Sequence, residues 1–262
     1  MIAFMTDWGL SSYYVGVAKA VMKRINPRVE IIDLSHGVEH FNVRMAMHML
    51  YRSVPDFPKD TIFLVVVDQG VGTSRKAIAI KSKSGYTFVG PDNGVFTLVA
   101  DEFGIEEIRE LRNEKYFYKE NPSTTFHGRD IFAPVAAHLS LGADLSDLGP
   151  RLMSYATVPV KRAKIEDGYV KGEVAYFDGF GNLETNIPAE MLEEIGKTLD
   201  DDVIVEISGK KWKIPLVRAF GDVRIGELLV HEDSSGFIEI AVNQGNARHV
   251  MGIEQGSEVR MY

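Results

Sequence analysis

Short apolar segments alternate with amphipathic ones along the first part of the chain. The apolar segments cover residues 2–6, 29–35 and 61–68, and helical periodicity follows near 12–25 and 42–53. The run from Ile62 to Val67 is unbroken, which is typical of a strand buried on both faces of a sheet. This alternation predicts an α/β layer with a central, mainly parallel sheet.

Turn residues divide the next part of the chain. The pattern predicts a hairpin over 76–90 that turns at Ser84-Gly85, a helix over 94–103 and a helix from near 129 to about 140. The segment 142–152 carries Gly, Asp and Pro without periodicity, which marks a domain boundary. We therefore predict an N-terminal α/β domain over residues 1–150.

The pattern changes after this boundary. Short β-rich segments are separated by turn residues, and only 189–196 has a helical pattern. This is typical of a small β-barrel or sandwich, and we predict a C-terminal β-barrel domain over residues 158–262.

Composition narrows the possible partners. The chain has 29 Lys and Arg against 37 Asp and Glu, a net charge of -8, so it lacks the basic surface of a nucleic-acid-binding protein. No window approaches the roughly 18 apolar residues of a membrane span, and the N-terminus lacks a basic leader. We expect no nucleic-acid or membrane partner and a cytoplasmic location.

Several kinds of chemistry lack their residues. Without cysteine the chain has no thiolate nucleophile and no Cys-ligated metal. The chain also lacks the phosphate-binding motif GxxxxGK[ST], the serine-nucleophile motif GxSxG and the zinc-protease motif HExxH. A metal-dependent hydrolase using Asp33, His36 and His40 stays an alternative, although Gly37 weakens a helix between the two histidines.

Acidic residues follow several predicted strands. Asp7 and Asp68 end apolar strands, and Asp92 lies in a Pro-Asp-Asn-Gly turn. Because ligands of open α/β sheets bind beyond the carboxyl ends of the strands, Asp7 and Asp68 are candidates for one site. Asp92 is more typical of turn chemistry.

His127 lies in the segment STTFHGRDIFAP, before a predicted helix. Glycine beside it permits unusual backbone geometry, which favours a functional role. The alternative is that Thr125 or Asp130 caps the helix and that the segment is only structural.

The segment AYFDGFGNLETNIP, residues 175–188, combines aromatic, acidic and amide side chains in one turn. Such a set suits a flat heterocycle or a cation, which needs a face to stack on and hydrogen-bond acceptors. The alternative is a glycine-rich hairpin whose aromatic side chains return to the core.

Five motifs together resemble a known family. In chain order they are MTDWG, VDQGVGTSRKAIAI, GPDNGVF, TFHGRDIFAPVAAHL and FDGFGNLETNI. They resemble the S-adenosyl-L-methionine (SAM) hydroxide adenosyltransferases, relatives of the SAM-dependent fluorinase and chlorinase, over nearly the whole chain. The resemblance implies an N-terminal α/β domain, a C-terminal β-barrel and a homotrimer whose active sites lie between the N-terminal domain of one subunit and the C-terminal domain of the next.

The resemblance also implies a reaction and its residues. Water displaces L-methionine from C5′ of SAM and leaves adenosine, with no cofactor and no metal. The residues implied are Asp68, Arg75 and His127 for catalysis, Asp7 for the ribose hydroxyls, Asp178 and Ser234 for the methionine part, and Phe180 and Asn182 for the adenosine site with Glu239 and Val242 nearby. Our mechanistic hypothesis is that Asp68 and Arg75 orient the water and His127, and that the proton leaves through His127 or the coupled network.

Two features separate this chain from the halogenases. The halogenases lack the Asp, Arg and His set and carry an inserted loop that is missing here between Phe88 and Phe126. The fluorinase also has an arginine where this chain has Ser235. The Asp, Arg and His set and the missing loop favour water as the nucleophile, whereas Ser235 concerns only how the substrate carboxylate is held. The alternatives are a SAM-dependent halide adenosyltransferase or a non-catalytic protein that binds SAM or adenosine.

Overall fold

The computed structural model describes all residues, Met1–Tyr262. The chain divides into two compact units, Met1–Val158 and Pro159–Tyr262, and each has its own apolar core. No helix in either unit has the length and apolar character needed to cross a membrane.

The first unit is a six-stranded sheet with helices. Its strands are β1 (Ile2–Thr6), β2 (Ile31–Ser35), β3 (Ile62–Val66), β4 (Ala77–Ser82), β5 (Thr87–Pro91) and β6 (Ile105–Glu110). Its α-helices are α1 (Tyr14–Ile25), α2 (Val43–Ser53), α3 (Thr97–Phe103) and α4 (Ala133–Leu139). Short 3₁₀ turns cover Val54–Asp56, Glu114–Tyr116 and Leu145–Leu148.

The strand order is β2-β1-β3-β5-β4-β6. β1 runs parallel to β2 and β3, and β3 runs parallel to β5, whereas β4 is antiparallel to β5 and β6. The prediction of an α/β fold with a mainly parallel sheet is confirmed. Thr6 pairs with Val66, so the chain leaves β1 and β3 at the same edge, where Asp7 and Asp68 follow.

One face of this sheet packs against α1 and α4. Alternate residues of the strands, such as Ile2 and Phe4, lie in the same core as Ala18 and Met22 of α1. Buried residues of α1 recur at helical spacing because one face of the helix covers the sheet. The predicted helix near 12–25 is therefore confirmed.

The helix predicted from 129 begins with a different hydrogen-bond pattern. Gly128–Phe132 forms a π-helical turn, in which Ala133 N–H donates to the carbonyl of Gly128, and α4 follows. Pro134 has no N–H, and the carbonyl of Asp130, four residues earlier, accepts from Tyr118 N–H at 2.9 Å. The suggestion that Thr125 or Asp130 caps this helix was wrong, because no side chain caps it.

The second unit is a nearly closed, mainly antiparallel barrel. Its strands, in the order β11-β10-β14-β8-β9-β13-β12 with β7 beside β8, are β7 (Lys164–Glu166), β8 (Tyr169–Phe177), β9 (Leu183–Pro188), β10 (Asp202–Ile207), β11 (Lys210–Pro215), β12 (Leu228–Glu232), β13 (Phe237–Val242) and β14 (Glu258–Met261). A bridge between Leu216 and Val230 joins the two end strands. The predicted β-barrel is confirmed.

This unit has two short helices and a 3₁₀ turn, Phe220–Asp222. α5 (Glu190–Glu194) lies within the predicted helical segment 189–196. α6 (Ala247–Met251) was not predicted, so the expectation of a single helix was wrong. Its signal was Asn246, whose side chain accepts from His249 N–H at 2.8 Å as an N-cap.

Candidate functional site

A cavity of about 490 Å³ lies at the carboxyl edge of β1 and β3. Asp7 and Trp8 line it directly after β1, and Asp68 lines it after β3. Residues 123 and 125–129 form another wall, which includes His127. The parallel strands thus deliver Asp7 and Asp68 to one cavity, and the π-helical segment delivers the histidine.

Asp68 lines the cavity and forms a buried ion pair with Arg75, which lies behind the lining residues. Nε of Arg75 donates to Oδ1 of Asp68 at 3.1 Å, and Nη2 donates to Oδ2 at 2.5 Å. The exposed fractions are only 7% for the arginine side chain and 6% for the carboxylate. Nη1 donates to the carbonyl of Lys76, and the guanidinium carbon lies 5.3 Å from the ring centre of Phe132. The pair is therefore fixed from several directions.

His127 completes the network. Its Nδ1 lies 3.1 Å from Nη2 of Arg75. Because a guanidinium can only donate, Nδ1 accepts, and the ring hydrogen of neutral His127 lies on Nε2. Burial lowers the pKa of His127 below its usual value, and the cation of Arg75 lowers it further. The site thus holds a neutral imidazole in one tautomer.

A close contact between two loops joins the partners of this network. Gly72 has φ +76°, and a Cβ at this position would lie 2.2 Å from the carbonyl oxygen of Thr124. Thr73 Oγ1 also donates to the Gly70 carbonyl at 2.7 Å. Glycine at position 72 therefore lets the loop of Arg75 approach the segment of His127.

Asp7 is held by the backbone of another loop. Its Oδ2 accepts from Phe41 N–H at 2.8 Å. Burial raises the pKa of Asp7, although this hydrogen bond acts in the opposite direction. Phe41 itself has φ +63° and a 61% exposed side chain, an unusual conformation for a bulky residue. The loop thus presents an aromatic ring to solvent beside Asp7.

Aromatic side chains of the cavity were missed by the sequence reasoning. Trp8, Tyr14 and Phe126 all line it, with ring centres 5.3 Å apart for Trp8 and Phe126 and 5.1 Å apart for Tyr14 and Phe126. All three contacts among them are edge-to-face, an arrangement that aromatic quadrupoles favour. The available signal was the aromatic residue beside each motif residue, namely Trp8 after Asp7 and Phe126 before His127.

The possible metal site of Asp33, His36 and His40 does not form. Nδ1 of His36 bonds Thr6 Oγ1 at 2.9 Å and Nε2 bonds Asp33 at 3.1 Å, so both ring nitrogens are occupied by protein groups. The chain between the histidines is not helical, and His40 instead lines the cavity. The hypothesis of a metal at these three residues was wrong.

Asp92 does not line the cavity either. Its Oδ1 accepts from Ala156 N–H at 2.7 Å. Asp92 therefore connects two distant segments of the first unit, whereas the sequence pattern predicted a side chain that caps the backbone of its own turn.

In the second unit, Asp178 organises the turn between β8 and β9. Its Oδ1 accepts from the N–H groups of Phe180 and Asn182 at 2.9 and 2.8 Å, and Oδ2 accepts from Nδ2 of Asn182 at 3.1 Å. Phe177 is buried and lies under Arg248, whereas Phe180 is 79% exposed. The alternative in which the aromatic side chains return to the core thus holds for Phe177, whereas Phe180 is available for an aromatic contact.

The other residues implied in the second unit lie in different surroundings. Glu239 is part of a carboxylate cluster, whose oxygens lie within 4.8 Å of one another and which also contains Asp178 and Glu184. Glu239 also accepts from Nε2 of His231 at 2.8 Å. Ser234 is exposed between β12 and β13, but the side chain of Val242 is buried in the barrel core.

Comparison with known families accounts for both units. The model of the SAM hydroxide adenosyltransferase N-terminal domain matches residues 2–149, and the model of the C-terminal domain matches residues 172–260. The chain belongs to the SAM hydroxide adenosyltransferase family. An (R)-S-adenosyl-L-methionine hydrolase from Salinispora tropica is 38% identical to this chain in sequence, and the alignment covers 99% of this chain and 97% of that protein. A fluorinase from Actinoplanes sp. is 27% identical, with 99% and 96% covered.

A protein of known structure has a higher sequence identity to this chain than these two relatives. An uncharacterized conserved protein from Thermotoga maritima is 57% identical and superimposes with a TM-score of 0.94. The match covers 100% of this chain and 99% of the other.

Proposed function

We propose that this protein hydrolyses SAM to adenosine and L-methionine, with water attacking C5′ of the ribose. The observation that carries the proposal is the Asp68–Arg75–His127 network at a cavity of the first unit. The similarity to proteins named (R)-S-adenosyl-L-methionine hydrolase supports the same reaction.

The charges around the cavity favour water over halide as the nucleophile. Arg75 uses four of its N–H groups on Asp68, His127 and Lys76, and it lies behind the lining residues. Arg129 lines the cavity, but it is paired with the buried Asp130 through Nε at 2.7 Å. Both cations are therefore neutralised by carboxylates, so neither offers an uncompensated positive charge to a halide ion, and burying an unpaired anion is costly.

The reaction needs an in-line water rather than an acid. A C–O bond forms at C5′ as the C–S bond breaks, and the electron pair of that bond returns to sulfur, so methionine leaves as a neutral thioether. Holding the water roughly 3–3.5 Å from carbon and in line removes several kcal/mol from the barrier. We assign this orientation to Asp68 and to the Nε2–H of His127, with Arg75 positioning both.

The proton passes to the network after attack. The first product of water attack is a protonated alcohol, which is a strong acid, so a carboxylate is a sufficient acceptor. His127 is a poor first acceptor because its Nδ1 already accepts from Arg75. We therefore assign the proton to Asp68, from which it reaches solvent.

The substrate-binding assignments follow the family resemblance. Asp7 binds the ribose hydroxyls from its place in the cavity. Asp178 and Ser234 bind the methionine part, and Phe180 and Asn182 with Glu239 and Val242 form the adenosine site. The buried side chain of Val242 restricts its role to shaping the barrel or to its backbone.

A homotrimer belongs to the same proposal. Tyr13 and Phe41 at the cavity are 67% and 61% exposed, and Phe180 of the second unit is 79% exposed. Aromatic surface of this kind is typical of a protein or ligand interface. It supports active sites completed by the second unit of a neighbouring subunit, and analytical ultracentrifugation would show three chains. The cytoplasmic location stays a prediction.

Product analysis tests the reaction. The protein is incubated with SAM, with and without fluoride or chloride, and the products are separated by chromatography. Adenosine and methionine in equal amounts are expected under all conditions. A 5′-halo-adenosine would instead support a halide adenosyltransferase, intact SAM recovered after long incubation would support a binding protein, and loss of activity with a chelator would support a metal.

A single-turnover experiment tests the residues. His127→Ala is expected to slow hydrolysis by a factor of about 100, within the range for a positioned polar group. His249→Ala is the matched control, because His249 is exposed on α6 and does not line the cavity. Hydrolysis by His127→Ala at the wild-type rate would refute the assignment.

A further inference from the structure

Trp8 fills the space beside Gly128, the residue that follows His127. A Cβ built at Gly128 would lie 2.4 Å from both Cζ2 and Cη2 of the indole. Gly128 has no positive φ, so its backbone conformation is open to any residue. Glycine is therefore needed at this position because the indole lies against the backbone.

Rings on several sides hold the indole in this place. Phe126, on the other side of His127, contacts it edge-to-face with ring centres 5.3 Å apart. Phe4 of β1 makes a second edge-to-face contact with ring centres 5.8 Å apart. Trp8 thus touches both chain neighbours of His127 and is supported from the core of the sheet.

The backbone of Trp8 is fixed independently of its ring. Its N–H donates to Oγ1 of Thr6 at 3.2 Å, and this hydroxyl bonds Nδ1 of His36 at 2.9 Å. His36 bonds Asp33 through Nε2, and its carbonyl accepts from Gly9 N–H at 2.8 Å. The Asp33–His36 pair therefore anchors the turn that carries Trp8.

We propose that Trp8 is the positioning residue for His127: its indole sets the place of the Phe126–Gly128 backbone so that Nδ1 of His127 meets Arg75. The proposal rests on the proposed function, because it explains how the network is aligned for attack by water. A displacement of about 1 Å in such a network can lower a rate by a factor of about 100.

The test is a double-mutant cycle between the two residues in contact. Gly128→Ala adds the Cβ that collides with the indole. Trp8→Phe removes the outer ring atoms Cζ2 and Cη2, so the added methyl group has space. We expect Gly128→Ala to lower kcat at least tenfold with a KM for SAM within about threefold of wild type, and we expect the double variant to lie within about threefold of Trp8→Phe.

Gly16→Ala is the matched control for the added methyl group. Gly16 lies on α1, and a Cβ there meets no atom within 4 Å. This variant should keep wild-type kcat. Melting temperatures of all variants show whether each one folds.

A second measurement does not depend on turnover. Nitrogen-15 spectra of histidine-labelled protein report the tautomer of His127, and we expect hydrogen on Nε2 in wild type and in the double variant, but a tautomer mixture in Gly128→Ala. If wild type shows this tautomer yet does not hydrolyse SAM, the proposed function fails while the positioning role stands. Equal losses of kcat from Gly128→Ala in both backgrounds, or an unchanged His127 spectrum in Gly128→Ala, would overturn the positioning role.

Discussion

Replacing Asp68 by Asn perturbs the network at its most buried point. The shape of the side chain is kept, but its negative charge is lost, and an amide N–H faces the N–H groups of Arg75. At 7% exposure the guanidinium cannot regain its hydration without local opening. The substitution therefore leaves an uncompensated cation beside His127 and removes one of the two hydrogen bonds that Arg75 donates to this side chain.

The expected loss of stability is large, although the substitution only replaces one carboxylate oxygen by an amide group. Removing one partner of a buried ion pair costs about 3–5 kcal/mol in free energy of unfolding. For a unit the size of Met1–Val158, each kcal/mol shifts the melting temperature by roughly 2–4 °C, which gives a decrease of roughly 6–20 °C. Hydrolysis should be lost with it, since the remaining cation no longer has a fixed carboxylate to align against.

Calorimetry and single-turnover hydrolysis of SAM measure the two effects. Asp56→Asn is the matched control, because Asp56 is exposed in the same unit. The free energy of unfolding of this variant should differ from that of wild type by no more than about 0.5 kcal/mol. Asp68→Asn with Arg75→Met should melt above Asp68→Asn alone, because the unpaired cation is gone, but should remain inactive. If Asp68→Asn melts like Asp56→Asn and hydrolyses SAM at the wild-type rate, the reasoning about the buried pair is wrong.

Three further predictions concern other parts of the chain. Burial lowers the pKa of His48 to about 3, so at pH 5 the unfolded chain binds a proton at His48 that the folded chain does not. His48 should therefore make the protein roughly 2 kcal/mol less stable at pH 5 than at pH 7, and His48→Leu should reduce the difference measured by urea unfolding by this amount. Gly72→Ala should destabilise more than Gly142→Ala in thermal unfolding, because both positions have positive φ and cost about 1–2 kcal/mol in strain, but only Gly72 also meets the Thr124 carbonyl. Phe180→Ala should raise the KM for SAM several-fold with an unchanged melting temperature, because the ring is 79% exposed; an unchanged KM would remove Phe180 from the adenosine site.

The layer architecture could be predicted because the buried strands carry strong local patterns. β1 is apolar up to its last residue, Thr6, and β3 is apolar along its whole length, and parallel strands end at a common edge. The convergence of Asp7 and Asp68 follows from these two facts alone. The partnership of Arg75 with His127 does not, since they lie in irregular segments that no periodicity relates, and only the family resemblance paired them.

Residues whose role depends on tertiary contact were beyond the sequence. Asp130 resembles a helix cap, but it is fully buried and binds Arg129 and the N–H of Ser123. Gly128 was expected to permit unusual backbone geometry, yet it has no positive φ, and a tryptophan more than a hundred residues earlier occupies the space of a side chain there. β6 was not predicted because four of its six residues are charged, which is unusual for a strand, and because it lies at the edge of the sheet.

Arg75 determines the hydrogen-bonding role of both partners at once. A guanidinium offers only donors, so it keeps the Asp68 carboxylate as an acceptor and holds Nδ1 of His127 without a hydrogen. Protonation of His127 at Nδ1 would place two donors 3.1 Å apart. Burial lowers the pKa of His127, and the neighbouring cation of Arg75 lowers it further. In the proposed reaction, His127 is therefore a neutral hydrogen-bond donor that orients water, and the proton that water loses goes to the carboxylate of Asp68. A histidine in this setting contributes through its geometry, and the protein supplies that geometry through Arg75 on one side and Trp8 on the other.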